Sequence, residues 1–524
     1  KEARYAALSY VWGFKPELWL VKDTEGYLQT ADSIVPANER IPRTIRDALT
    51  FCRKINIPYI WVDSFCIIQD CKKDQAIEIP RMFEIYSQAT VTLVAISASS
   101  SRDPLPGVTP NTRLWHQYHG TVKGLELITC YPSLVTEIEQ STWFTRGWTL
   151  QEAAFSKSLI FFTQNQAIFL CRQSMFCEDT VWEGSNVEAK SPLANRPTPA
   201  SGIPMSLMLL GIQARYFDRG FFSILEQFTE RRLAEDSDAL KAVDAIIQMI
   251  SKDKEHGSQC LFGMPEKHFG AALGWTFRKG HMLGPLSRRK MFPSWSWAGW
   301  KGPILWDLFH TMYDHNMDRV RDWEPSGIIE TTNLDKELYE KTGKIISPVR
   351  QHPHPEQPKL SLLIDTGVLQ FWTSSALLLV SRTEDENANG LPTFGIMKPN
   401  VNRWCFERLQ CDPYWRSKQP DQLEFIVIAA SRLKPPNPPM YKGGSWGCGT
   451  SRHKAEQEGR LIGNFHLFQR ERKHWETHMQ DRVVLDVMCI EWVDGIAERV
   501  QVCHSWQLDD WLEMEPKEKL IKLG

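Results

Sequence analysis

The chain has 524 residues, enough for two to four domains and a large core. Hydrophobic residues at 42% and charged residues at 24% are ordinary for a globular protein, and the formal net charge of −2 excludes the basic surplus of a general nucleic-acid binder. No apolar run approaches the roughly 18 residues that span a bilayer, and no signal-peptide pattern opens the chain, so a cytoplasmic protein is expected.

The longest apolar candidate, IPMSLMLLGI at 203–212, is interrupted by Ser206. The basic runs SRRK (287–290) and QRERKH (469–474) are short and read as solvated surface. Twelve cysteines are spread singly without a C-x-x-C pair, which suits reduced thiols better than a zinc site, and no metal is expected.

In chain order, YAALSYVW (5–12) reads as a short buried strand that ends at Gly13. IPRTIRDALTFCRKI (41–55) has Ile45, Ala48, Leu49, Cys52 and Ile55 on one side, the spacing of an amphipathic helix, with Thr44 as N-cap and Asp47 in the back-bonding position of a capping box. PYIWVD (58–63) is the next strand. DQAIEIPRMFEIYSQA (74–89) is the next helix, in which Pro80 must sit in a first turn or mark a kink. TVTLVAIS (90–97) closes the series as a strand. Strands and helices that alternate in this way, the strands apolar throughout, imply a parallel sheet covered by helices, hence an α/β fold. Ligands of such sheets gather at the carboxyl ends of the strands. That places Ser9, Tyr10, Trp12 and Gly13 beside Asp63, Ser64 and Cys66.

Beyond about residue 180 the pattern changes. Residues 187–204, rich in Pro, Ala and Ser, read as a linker. Residues 205–280 are mainly helical by pattern, with DALKAVDAIIQMI (238–250) the clearest helix. Strands dominate from about 290, at 369–380, 424–431 and 483–503, the last with Asp494-Gly495 as a hairpin signal. Residues 434–459 read as a surface loop whose glycines lack phosphate-loop spacing. No internal repeat is present. The expected organisation is an α/β domain over 1–186, a linker and helical segment over 187–285, and a mainly β region over 286–524, packed on the rest through the Trp-rich segment FPSWSWAGWKG (292–302).

YAALSYVWG (5–13), IPRTIRDA (41–48), YIWVDSFCIIQD (59–70), RMFEIYSQATVTLVAIS (81–97) and RGWTLQE (146–152) resemble, in order, the signature blocks of the heterokaryon-incompatibility (HET) domain. The resemblance implies a fungal intracellular protein of nonself recognition and programmed cell death. HET domains are also similar, at a distance, to Toll/interleukin-receptor (TIR) domains, whose sheet is flavodoxin-like and some of which cleave NAD with one glutamate. On that likeness DCKKDQAIEI (70–79) puts Glu78 in the glutamate position, with Gln75 where the pattern carries tryptophan.

The candidate catalytic residues are therefore Glu78 and Asp63. A carboxylate beside a ribose can orient its hydroxyls and stabilise an oxocarbenium-like state. The alternatives are a solvated glutamate stabilised by its helix dipole for Glu78, and a turn cap for Asp63. Ser9, Tyr10, Trp12, Gly13, Ser64, Cys66, Arg146, Trp148 and Glu152 are candidate substrate-binding residues. Tyr10 and Trp12 would stack on a ring or simply pack. Ser64 and Cys66 lack a nearby base, since no histidine precedes His116 and His119. Arg146 and Glu152 would line a cleft or form a buried pair, and Trp148 and Glu152 lie one helical turn apart.

Three readings follow: an NAD-consuming death effector that requires no cofactor and takes NAD as substrate, a non-enzymatic module that self-associates or docks on another death-signalling protein, and a small-molecule enzyme of secondary metabolism on a HET scaffold.

Overall fold

Because buried parallel strands are apolar on both faces, the first strands of this chain carry alternate residues into two separate cores. In the computed structural model, Ala6, Leu8 and Tyr10 enter one core with Ile45, Ala48, Cys52 and Leu93. Ala7 enters the other with Met82, Tyr86 and Ala89. The structure describes residues 3–13, 16–113, 117–129, 131–171, 175–178, 217–251, 259–266, 269–278, 287–306, 320–322, 333–348, 366–386, 392–397, 404–409, 422–434 and 482–524. The expected linker at 187–204, the apolar run at 203–212, the basic run at 469–474, His116, and all but the first residue of the expected loop at 434–459 lie outside them. The chain divides into two compact units, Lys1–Ser258 and Gln259–Gly524.

In the first unit, β1 (Tyr5–Ser9) is followed by α1 (Lys22–Leu28), α2 (Arg43–Lys54), β2 (Tyr59–Trp61), α3 (Asp63–Cys66), α4 (Lys72–Glu78), α5 (Met82–Gln88) and β3 (Val91–Val94). An exposed hairpin, β4 (His119–Val122) with β5 (Leu125–Ile128), precedes α6 (Leu134–Gln140), α7 (Gly147–Phe155), β6 (Ser158–Phe162), β7 (Ala167–Cys171) and β8 (Met175–Cys177). The main sheet runs β2-β1-β3-β6-β7-β8. β1 pairs in parallel with β2 and β3, and β3 with β6, while β7 and β8 add antiparallel edges. The fold is α/β, as the alternation implied. α8 (Phe217–Thr229) and α9 (Asp238–Ser251) complete this unit, so the helices that the sequence pattern gives to 205–280 include two that belong with the sheet.

Two local expectations change. Thr44 does not cap α2: the N-cap is Pro42 without a side-chain bond, and the Thr44 hydroxyl donates 2.6 Å to the Asp103 carbonyl. Asp47 is likewise drawn away from the helix start, accepting from the Leu105 N–H at 3.0 Å and from Thr109 at 3.1 Å, with Arg43 3.0 Å away. A buried carboxylate goes where the most donors converge, and here that is the loop after β3. Pro80 falls in a single 3-10 turn, Ile79–Arg81, which breaks the expected long helix into α4 and α5 because proline can donate no helical hydrogen bond.

The second unit is built on long antiparallel strands. Leu369–Glu386, Gln422–Lys434, Arg482–Val493, Ile496–Gln507 and Lys517–Leu523 pair successively, and Lys517–Leu523 pairs back with Leu369–Glu386, which closes the five into a ring; only Ile496–Gln507 with Lys517–Leu523 is parallel. The hairpin at Asp494-Gly495 is as expected, with φ of +51° and +79° at the two turn residues. Trp295, Trp297 and Trp300 are buried within this unit. Each indole donates to a backbone carbonyl, of Gly367 at 2.8 Å, Gly263 at 2.9 Å and Ser294 at 2.7 Å respectively. A buried indole needs such a partner.

Candidate functional site

At the carboxyl ends of β1 and β2 the side chains turn polar. Alternation along β1 sends Ser9 to the face covered by α7 and Tyr10 to the opposite face. The Ser9 hydroxyl donates to the Glu152 carboxylate and accepts from the Trp143 indole at 2.7 Å. The Tyr10 phenol donates to the Ser64 hydroxyl at 2.8 Å. Gly13, just beyond, has φ +72°, and a Cβ there would stand 2.5 Å from Ser100 Cβ. Its role is to let the backbone turn tightly against Ser100.

β2 delivers Asp63 into the first turn of α3. One carboxylate oxygen accepts the Ser64 N–H at 2.7 Å and the other the Trp12 indole N–H at 2.7 Å. Asp63 is the first residue of α3, whose N-cap is Val62; one of its oxygens thus holds the N–H of the next residue while the other ties β2 to the segment after β1. It keeps partial exposure to solvent. Burial pushes its carboxyl above the ordinary carboxylate range, against the opposing effects of Arg146, Trp12, the Ser64 N–H and Tyr10. The end of YIWVDSFCIIQD holds backbone in place. Gln69 donates to the Asp63 and Ile67 carbonyls at 3.0 and 2.9 Å, and Asp70 accepts from the Lys22 N–H at 3.1 Å.

α7 supplies the third side of the cluster. Arg146 at its N-cap donates to the Tyr10 carbonyl and lies partly exposed. Glu152, 4% exposed, has its carboxyl raised to about 7, chiefly by burial and secondarily by Asp63, while Arg146 and the Ser9 hydrogen bond oppose the rise. Near neutral pH this acid is shared between its two protonation states. Tyr86 stands beside it: its phenol is raised first by burial and then by the charges of Glu152 and Asp63. Trp148, one turn before Glu152, packs instead with the apolar group around Tyr86, Met82 and Trp61. Arg146 and Glu152 therefore share one site, and no ion pair within 4 Å joins their side chains; Ser9 and the Tyr10 carbonyl are their direct partners.

Glu78 ends α4 and pairs with Arg81 at 3.2 Å; its side chain is 26% exposed. No hydrogen bond joins it to Asp63 or Glu152. Its charge acts on the Cys66 thiol, which burial raises first and to which Asp63 and Glu78 both add. Cys66 thus lies within electrostatic reach of both candidate catalytic carboxylates. Gln75 donates at 2.8 Å to the Gln69 carbonyl and so closes the loop ahead of α4. Ser64 has Tyr10 as its side-chain partner, and His119 sits on the exposed hairpin β4–β5.

Three residues of this site carried no individual signal in the sequence. Trp143 lies three residues before the RGWTLQE block and differs in nothing from the chain's other tryptophans. Tyr86 has the place of one more apolar position in the helix pattern of 74–89. Arg231 follows α8, and its Nη1 donates at 3.2 Å to the Arg146 carbonyl and at 3.1 Å to the Thr149 hydroxyl. Among the described residues no group of three or more His, Cys, Asp or Glu is placed to hold a metal ion. Among them, too, no helix is long and apolar enough to cross a membrane.

No curated protein and no solved structure matches the chain. One family model does, over residues 5–152, a span that runs from the first residue of β1 to Glu152 and takes in Asp63, Glu78 and Arg146 as well. That family is described as heterokaryon incompatibility protein (HET), and residues 5–152 of this chain are a HET domain.

Proposed function

We propose that this HET-domain protein is an effector of fungal nonself recognition and cell death, and that it acts by cleaving the N-glycosidic bond of an NAD-type dinucleotide at the strand ends of its first unit. The observation that supports the reading is the convergence, at the carboxyl ends of β1 and β2, of a partly exposed carboxylate, a partly exposed arginine and an aromatic wall: Asp63, Arg146 and Trp12. Open α/β sheets bind ligands at this end. In the proposed reaction the bond between ribose C1′ and the pyridinium nitrogen breaks, and its electron pair leaves with nicotinamide, which departs neutral. Water adds to C1′ and gives up a proton to a carboxylate or to solvent. A carboxylate near the ribose stabilises the positive charge that develops at C1′, and no cofactor is needed. Asp63, bonded to Trp12, is the partly exposed carboxylate of the cluster, and Glu78 supplies the second negative charge near Cys66.

The test is incubation of the purified full chain with NAD, with nicotinamide release followed by mass spectrometry. Release by the wild type, lowered roughly 100-fold or more in Asp63→Asn or Glu78→Gln, supports the reading and shows which acid carries it. A wild type that leaves NAD intact refutes it. Full activity in both variants refutes the assignment of these carboxylates.

A further inference from the structure

Arg231 is 6% exposed, yet among the described residues it forms no ion pair with a carboxylate. Its backbone is held in register with the start of α7: Gly147 N–H donates 2.8 Å to the Arg232 carbonyl, and Arg232 N–H donates 2.6 Å to that of Thr145. Nη1 is satisfied by the Arg146 carbonyl and the Thr149 hydroxyl. Nε and Nη2 are buried and have no hydrogen-bond partner. These two nitrogens share one edge of the guanidinium. Their N–H bonds run parallel and match two oxygens of a single anionic group. A buried cation in this state is costly unless an anion completes it.

We propose that Arg231 anchors an anion subsite that takes two oxygens of a phosphoryl group of the ligand on its Nε–Nη2 edge. A phosphoryl group is the anion of choice because the proposed ligand, an NAD-type dinucleotide, carries two of them, each with oxygens at the spacing of this edge. Arg231 sits against the first turn of α7, a nine-residue helix whose N-cap makes no side-chain hydrogen bond, and helix N-termini favour anions. The two nitrogens are closed to solvent, and the partly exposed Phe144 ring stacks on the face of the guanidinium, its centroid 4.3 Å from the central carbon, which leaves the Nε–Nη2 edge to a ligand in the plane. Burial lowers the Arg231 pKa to about 9, against the charges of Glu230 and Glu152, which favour the cation without bonding it; the cation is therefore present near neutrality.

The inference rests on the strand-end location of the site but not on cleavage. Inorganic pyrophosphate, which has no glycosidic bond, is titrated into the full chain by calorimetry, with acetate as competitor. Wild type should bind it, Arg231→Met should weaken binding roughly 10- to 100-fold, and Arg231→Lys, a point charge without the fork, should fall between. Arg231→Lys keeps the charge and decides the matter if Arg231→Met does not fold. Absence of binding to wild type, wild-type binding by both variants, or displacement by acetate as effective as by excess pyrophosphate would overturn the subsite. Pyrophosphate binding without NAD loss leaves the subsite standing and fails the cleavage proposal alone. NAD loss without Arg231-dependent binding does the reverse.

Discussion

Glu152→Gln should make the protein's stability less dependent on pH, in a direction the structure dictates. Glu152 is 4% exposed and its carboxyl is raised from 4.5 to about 7 in the folded state, with burial as the first cause. Below pH 4.5 both folded and unfolded chains hold the proton, and the full contribution to stability is present. Between pH 4.5 and 7 the unfolded chain has released the proton while the folded chain still holds it, so stability falls as pH rises. Each pH unit in this window costs about 1.4 kcal/mol, and across the whole window the loss is about 3 kcal/mol. Glutamine preserves the shape and can still accept from Ser9, but it cannot ionise. The assay is urea denaturation of wild type and Glu152→Gln across pH 4 to 8, followed by circular dichroism and compared as a difference at each pH. The difference should move in favour of Glu152→Gln by about 3 kcal/mol from the acid to the neutral end. Parallel profiles would show that Glu152 titrates as in the unfolded chain, and a drift in the opposite direction that Arg146 outweighs burial; either refutes the reasoning.

Three other outcomes are expected. Gly13→Ala combines a backbone φ of +72° with a Cβ 2.5 Å from Ser100 Cβ, and should lower stability by about 1–3 kcal/mol, measured by thermal melting; an unchanged melting temperature would mean that the turn relaxes freely. Trp12→Phe removes the indole donor 2.7 Å from Asp63, costing about 1 kcal/mol and raising the Asp63 pKa further, which a pH titration of ligand binding would register as a shift to higher pH. Trp295→Ala in the second unit removes a fully buried ring packed on Phe262 and Phe269 and leaves the Gly367 carbonyl without its donor, for a loss of about 3–5 kcal/mol in chemical denaturation; a loss under about 1 kcal/mol would contradict the packing described.

The architecture of the first unit was legible because buried parallel strands leave an unambiguous trace. YAALS and VTLV are apolar on both faces, YIW repeats the pattern at the half-exposed edge of the sheet, and the helix Arg43–Lys54 shows its one-sided stripe. The HET blocks located Ser9, Asp63, Arg146 and Glu152 for a related reason, since each lies within a few residues of a strand end or helix start that the pattern itself marks. What the sequence leaves open is where a polar side chain finds its partner. Thr44 and Asp47 have the residue types and spacing of a cap, yet both turn to the loop after β3, whose donors and carbonyls lie far along the chain. Arg231 reaches the first turn of α7 from the end of α8, a contact for which no local spacing exists. The protonation state of Glu152 belongs to the same class. A glutamate in RGWTLQE is an ordinary carboxylate until the fold withdraws water from it and sets Ser9, Asp63 and Arg146 around it. Periodicity is a property of neighbouring residues and can be read from their order, whereas desolvation and charge pairing depend on distances that only the folded chain defines.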